Sequence, residues 1–333
     1  MISPRRRLDL LLAGRLIRRC RPRIWWNYVK YKRAVARVRR DGPDRLNFAP
    51  PSAVIWVTAR CNKACAFCHY RGELNPPDYP ALELSHERFV RLIRHPLLSR
   101  AARVCLYGGE PLLNADLFKM IRSGKRRGHL VTVNTNGLLI AERLDEIRRD
   151  PPDLLSVSYY PEDGRALAAA LPRVSPRVTV RLLFLLSDAT LEQVPDVLRL
   201  ADETGVRAVS FERICPNEGT GETGPVIDEA RLADLKSQMD ATHARRLDIT
   251  WPAPSPGRTP TCRFFWNSLF VDARGRTSPC CVWPMRTYQG DILADESVWN
   301  SERMTALRER MRRNDPPELC RSCSYLFDDP LGI

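Results

Sequence analysis

A chain of 333 residues with 44% hydrophobic content is long enough for one large α/β domain and a smaller appendage. No stretch approaches the ~20 consecutive apolar residues of a membrane span. The net charge of +14 sits almost wholly in residues 1–40, which hold 14 Lys/Arg and a single acid, Asp9, while the remainder balances 39 basic against 38 acidic residues. The body is therefore near neutral, and no sequence-specific nucleic-acid motif accompanies the basic arm.

That arm, residues 1–50, interleaves Leu8, Leu11, Leu12, Leu16 and Ile17 with arginines and then presents Ile24-Trp25-Trp26-Asn27-Tyr28-Val29. Paired tryptophans beside basic residues suit a membrane interface or another anionic partner, at the periphery of an otherwise cytoplasmic protein. The plainer expectation is a helix that packs its apolar stripe on the body and leaves its arginines in solvent. Arg5-Arg6-Arg7 resembles the start of a twin-arginine export signal, but Asp9, Gly14 and Arg15 break the apolar run such a signal needs.

After Pro50-Pro51 the chain alternates short apolar strands with amphipathic helices. Strands are predicted at 54–58, 103–107, 130–134, 154–158, 178–185 and 206–211, and helices near 85–95, 115–127, 141–149, 163–171, 190–204 and 228–243. Strict alternation predicts parallel strands joined by right-handed crossovers, in a doubly wound sheet or a barrel. The helix opening at Thr190-Leu191-Glu192-Gln193 has a capping-box pattern and stops at Gly205. Residues 214–226 are Gly-rich and read as a loop that could cover a substrate. The Pro-rich run from Trp251 to Gly257 marks a boundary, dividing a core at 51–250 from a carboxyl-terminal domain at 251–333.

Most of the eleven cysteines fall into two groups with metal-like spacing. Cys61, Cys65 and Cys68 stand directly after the first strand in a Cys-x3-Cys-x2-Cys loop, one short of the four ligands of a closed site. Zinc would need His69 as the fourth ligand, and its adjacency to Cys68 makes that awkward. Cys262, Cys280, Cys320 and Cys323 complete a set of four, for which zinc and a four-iron cluster are both open; Cys281 is a neighbour that could stand in for Cys280. At the end of the second strand, Gly108-Gly109-Glu110-Pro111 combines glycines that admit a ligand close to the backbone with an anionic acceptor for an ammonium group. Ser156 and Ser158 share the inner face of the fourth strand, and Arg181 turns inward on the fifth, where it could hold a carboxylate or be satisfied by Glu212.

The cysteine loop, with Phe67 just before Cys68, resembles that of the radical S-adenosylmethionine (SAM) enzymes, and Gly-Gly-Glu-Pro about 40 residues later matches that family's motif for the SAM amino group. Cys-x12-Gly-x4-Cys followed by Cys-x2-Cys is similar to the SPASM and shortened twitch auxiliary-cluster domains, as in enzymes like 2-deoxy-scyllo-inosamine dehydrogenase. The resemblance implies a partial (β/α)6 barrel and an open [4Fe-4S] cluster on Cys61, Cys65 and Cys68 with SAM as the exchangeable ligand. It also implies one auxiliary [4Fe-4S] cluster and a flavodoxin- or ferredoxin-type reductant. Phe67, Gly108, Gly109, Glu110, Asn134, Asn136, Ser156 and Ser158 become candidate SAM contacts. The implied reaction is hydrogen-atom abstraction from a substrate C–H bond, with dehydrogenation of a small polar or sugar-like molecule as the first expectation. Epimerisation, with Cys215 returning a hydrogen atom, and modification of a peptide are the alternatives. A membrane-associated iron–sulfur electron carrier is the reading from another class.

Overall fold

A computed structural model describes residues 7–40, 42, 45–68, 81–214, 227–252, 262–281, 290–321 and 323. Two helices, α1 (Arg7–Arg19) and α2 (Pro22–Arg40), precede a parallel run of strands: β1 (Ser52–Thr58), β2 (Arg103–Gly108), β3 (Leu130–Thr135), β4 (Leu154–Ser158), β5 (Val180–Leu186), β6 (Ala208–Arg213) and β7 (Asp248–Thr250). The helices α3 (His86–Arg94), α4 (Leu117–Arg126), α5 (Leu144–Arg149), α6 (Gly164–Val174), α7 (Val194–Thr204) and α8 (Glu229–His243) connect them. The six predicted strands are all present within two residues of their expected bounds.

The seventh strand is new. Asp248-Ile249-Thr250 offers one apolar residue between two polar ones, too short a run to carry a period, and it is defined by pairing with β6. Trp251, expected to open a linker, belongs to this edge: its ring stacks 4.5 Å from Phe211 and its indole N–H donates to Asp240 at 2.9 Å. Residues 253–257 of the expected linker lie outside the described residues. The capping box also forms a turn earlier than expected. The Ser187 N–H donates to Thr190 Oγ1 at 2.8 Å, starting a 3-10 turn (Asp188–Gln193) before α7.

The sheet does not close into a barrel. It runs β10-β9-β8-β1-β2-β3-β4-β5-β6-β7, because β8 (Ser268–Val271) adds to the free edge of β1 in parallel and β9 (Arg276–Ser278) and β10 (Gly290–Asp291) continue it antiparallel. The carboxyl-terminal segment thus extends the same sheet. Flanked by β2 and β8, every residue of β1 is buried, which explains its unbroken apolar reading. Arg308 of α9 (Glu302–Arg312) is also fully buried, its guanidinium satisfied by the carbonyls of Phe265 and Trp299 and by Asn300.

The arm packs its apolar stripe on the body as expected, but Arg15 and Arg19 turn to Asp153 instead of staying in solvent. Leu16 and Ile24 are buried together against Ala102 and Leu130, at the amino-terminal ends of β2 and β3. Asn27 is buried and fixes α2 through its side-chain amide, which donates to Ala49 O at 3.0 Å and accepts from Ala49 N–H at 2.8 Å. Arg15 and Arg19 donate to Asp153 just before β4, and the Leu8 N–H donates to Asp248 at the start of β7. The arm therefore lies across the amino-terminal end of the sheet. No helix among the described residues is long and apolar enough to cross a membrane.

Candidate active site

In parallel α/β sheets the loops after the strands gather at the carboxyl-terminal edge, and functional groups collect there. A cavity of about 870 Å³ occupies that edge. Its walls are residues 62–67 of the cysteine loop, Leu138 beyond β3, Ser158 to Glu162 at the end of β4, Leu183 and Leu185 on β5, and Ile214 beyond β6.

The cysteine loop is irregular and held from below. Thr58 at the end of β1 donates to Glu83 Oε2 at 2.5 Å, and Arg60 pairs with both oxygens of Glu83 while donating to Leu113 O at 2.9 Å. Cys61 is exposed, Cys65 and Cys68 half-buried. One backbone donor addresses a sulfur, the Lys63 N–H at 3.4 Å from Cys61 Sγ, and the Cys65 thiol donates to the Tyr160 hydroxyl at 3.4 Å. Three thiols on one loop fit iron–sulfur ligation by the chemistry of the donor set. Among the described residues no three His, Cys, Asp or Glu side chains are drawn together to hold a single metal ion.

Gly108 and Gly109 pack closely against the backbone that leads into the cysteine loop. The space that a Cβ would take at Gly109 is filled by the Arg60 carbonyl oxygen at 2.1 Å, and at Gly108, where φ is +143°, by Thr58 O at 2.4 Å. The Gly109 N–H donates to Thr58 O at 2.8 Å and the Glu110 N–H to Arg60 O at 2.7 Å. The motif clamps the entry to the cysteine loop.

Glu110 is fully buried. Its carboxylate accepts from Leu112 N–H at 2.9 Å, Thr135 Oγ1 at 2.7 Å and Asn136 N–H at 2.7 Å. Three of the roughly four acceptor positions on a carboxylate are thus taken by the chain itself, and Glu110 is not among the cavity walls. Burial pushes its pKa above the ordinary value, against those three donors. Asn136 extends the link to the cysteine loop, its amide donating to Asn62 Oδ1 at 2.7 Å. Asn134 is half-buried and accepts from Cys105 Sγ at 3.9 Å. Ser158 lines the cavity, whereas Ser156 is buried and accepts from Arg181 at 3.0 Å.

Arg181 stands opposite Ser156 in the β4–β5 register, on the same face as the cavity residues Leu183 and Leu185 and two residues deeper. Its Nε–H is buried without a partner among the described residues. Glu212 faces Leu185, four rungs along the strand from Arg181. Cys215 and residues 216–226 of the Gly-rich loop lie outside the described residues.

Sequence reasoning missed Tyr160, Lys63 and Asp163. Lys63 Nζ bonds Asp163 at 2.6 Å and Glu162 at 3.0 Å and sits 4.1 Å from the centre of the Tyr160 ring. Burial opposes the lysine charge, but the two carboxylates outweigh it and hold its pKa above the ordinary value. Phe67 stacks on Tyr160 with centroids 6.4 Å apart, so the expected aromatic shield is a pair. Burial, then the Cys65 contact, drives the Tyr160 pKa well above the usual phenol range. The position of Tyr160 just past the end of a strand was the available signal.

In the carboxyl-terminal region Cys262, Cys280 and Cys320 are buried in one core, with Cys323 and Cys281 half-buried against it. The Cys323 N–H donates to Cys320 O at 3.2 Å, closing the Cys-x2-Cys turn. Cys280 shares the burial of Cys262 and Cys320, and Cys281 does not.

Residues 55–211 match the family model of the radical SAM superfamily, and residues 262–324 match SPASM, an iron–sulfur cluster-binding domain. A probable GTP 3',8-cyclase of Methanopyrus kandleri is 31% identical over 51% of this chain and 59% of its own length, so the chain spans less than two thirds of that relative. An AdoMet-dependent heme synthase of Methanosarcina barkeri is 26% identical over 83% of this chain and 89% of its own. Among solved structures, Streptococcus suis SuiB bound to S-adenosylmethionine has the same fold, with a TM-score of 0.64 at 15% identity over 91% of this chain and 76% of that one. The cofactors of this class are [4Fe-4S] clusters and SAM. With both signature regions on one continuous sheet, residues 55–211 form a radical SAM domain and residues 262–324 a SPASM iron–sulfur cluster-binding domain.

Proposed function

We propose that Cys61, Cys65 and Cys68 hold the open four-iron cluster beside the cavity, and that Cys262, Cys280, Cys320 and Cys323 hold a second, closed one. With SAM and one electron from a flavodoxin- or ferredoxin-type reductant, the cluster held by these cysteines would supply reductive cleavage of SAM to methionine and a 5′-deoxyadenosyl radical able to take a hydrogen atom from a substrate C–H bond. The reading is carried by one observation: the 62–67 segment of the cysteine loop forms a wall of the 870 Å³ cavity.

The chain's own residues bind and exclude. Phe67 and Tyr160 form an apolar wall for a flat ring and keep water from the Cys65 side. Asn62, tied through Asn136 to Glu110, holds the loop in register with β3. Arg181, two residues below the cavity residue Leu183, braces β4 against β5 by donating to Ser156 at 3.0 Å. Ligand pockets run from about 300 to 1,000 Å³, so the volume suits a cofactor with a small substrate beside it.

The reaction is an oxidation, because the carboxyl-terminal set has four cysteines and leaves no position for substrate, which suits electron transfer. Phe67, Leu138, Tyr159, Leu183, Phe184 and Ile214 make the lining mostly apolar. That supports a substrate with an apolar or flat body in preference to a sugar. The heme synthase that matches most of both chains is consistent with that substrate class.

Anaerobic reconstitution tests the reading. Iron of about eight per chain falling to about four in the Cys61/Cys65/Cys68→Ala variant is expected from two four-iron sites, with 5′-deoxyadenosine formed from SAM and dithionite by the wild type only. Fully loaded protein that cleaves no SAM with any candidate substrate would return the chain to the electron-carrier reading. Zinc in the carboxyl-terminal site would remove the oxidation and favour return of a hydrogen atom.

A further inference from the structure

Every large hydrophobic side chain that is exposed among the described residues lies in one short segment: Leu10, Leu11, Ile17, Trp25 and Trp26, with Ile17 63% and Trp26 61% exposed. That segment is also where the charge of the chain sits, 14 Lys/Arg against Asp9 in residues 1–40. Soluble surfaces scatter single apolar residues; a concentration of them within a basic field marks an interaction face.

The geometry gives that face a direction. Leu16 on α1 and Ile24 on α2 are buried in the same small cluster against the body. Leu10 and Ile17 are seven residues apart on one side of α1, away from Leu16, and Trp25 and Trp26 lie off the buried stripe of Ile24, Asn27 and Tyr31. Arg18, Lys30 and Arg33 are exposed around them. The two helices are thus anchored to the body by one side and present tryptophans and cations on the other.

We propose that α1 and α2 dock the enzyme on an anionic lipid surface, with Trp25, Trp26, Ile17 and Leu10 entering the headgroup region and the arginines and lysines pairing with lipid phosphates. Charge complementarity selects this occupant over a second copy of the chain, since two faces of the same strong positive charge repel. The arm covers the amino-terminal ends of β2, β3 and β4, and the cavity opens at the carboxyl-terminal ends. A strand of five to seven residues spans roughly 20 Å at about 3.3 Å per residue, so docking turns the active-site mouth away from the lipid. The bound enzyme draws its substrate from solution, not from the bilayer.

The test is sedimentation of the full chain with vesicles of phosphatidylcholine alone or with added phosphatidylglycerol, read without turnover and so separately from the cofactor chemistry. Binding to the anionic vesicles at low salt is expected, with a blue shift of tryptophan emission. It should be lost in Trp25→Ser/Trp26→Ser and weakened about fivefold per charge removed in Arg18→Ser/Lys30→Ser/Arg33→Ser, as ~1 kcal/mol per basic residue near an anionic surface requires. Three results would overturn the proposal: no binding to anionic vesicles, binding untouched by the tryptophan changes, or a wild-type dimer that those changes dissociate.

Discussion

Gly109 lies under the carbonyl oxygen of Arg60, so close that a methyl group at position 109 would stand 2.1 Å from it. The contact joins the end of β2 to the residue before the first cysteine of the loop, and both partners are backbone, so neither can swing aside as a side chain does. Gly109→Ala must therefore displace the loop. Overpacking of this kind costs about 1–3 kcal/mol, and the amino-terminal site should lose its iron while the carboxyl-terminal site keeps about four. Gly14→Ala, with nothing within 4 Å of the added carbon, is the control and should leave both iron content and thermal midpoint unchanged or slightly raised.

Glu110→Gln replaces an acceptor with an amide that faces three donors. One of them must lose its partner, at about 1–3 kcal/mol for a buried group. The pH dependence separates this loss from simple misfolding. Because the folded carboxyl titrates above its ordinary value, the unfolded chain releases its proton first. Stability then falls as pH rises through the window between the two values and levels above it. Urea midpoints of wild type and Glu110→Gln measured across pH 4–8 should converge toward the upper end; parallel curves would mean that the carboxyl is not the titrating group.

His129 has the opposite sign. It is fully buried, its Nδ1–H donates to Ala101 O at 2.7 Å, and its Nε2 has no partner among the described residues. Burial, helped by Arg23, Arg127 and Arg21, lowers its pKa from 6.5 to about 4. Below pH 6.5 the unfolded chain takes up the proton first, so the stability present at neutral pH is lost as the pH drops toward 4. The loss amounts to about 3 kcal/mol at 1.36 kcal/mol per unit. His129→Gln should abolish this acid dependence, as read from denaturant midpoints at pH 5 and 7.5.

Tyr160→Phe removes the hydroxyl 3.4 Å from Cys65 Sγ and keeps the ring that stacks on Phe67. With Cys65 as an iron ligand, loss of a hydrogen bond to its sulfur shifts the cluster potential negative. A redox titration followed by electron paramagnetic resonance should show that shift at full iron content, and Tyr159→Phe should not. An unchanged potential would remove Tyr160 from the ligand's surroundings.

Cys280→Ala should cost the carboxyl-terminal cluster, about four irons, whereas Cys281→Ala should retain it. The burial of Cys280 with Cys262 and Cys320 is the basis, and iron counting on the two single variants decides it.

The strand–helix alternation, the two cysteine groups and the segregation of charge into the first 40 residues were all legible without coordinates. Each is written in a short window: period two, period 3.6, or a fixed spacing between like residues. What the tertiary structure decided involves partners far apart in the chain. Glycines 108 and 109 look like a ligand cradle in sequence, yet their neighbours are Thr58 and Arg60, fifty residues earlier. The partner on the second side of β1 is β8, which lies far along the chain in the carboxyl-terminal region. Asp248-Ile249-Thr250 had too few residues to announce a strand until β6 supplied its hydrogen bonds. Tyr160 gained its place because β4 ends beside the loop that follows β1. Local pattern reports the conformation a segment prefers, but only the assembled sheet determines which atoms occupy the space beside it.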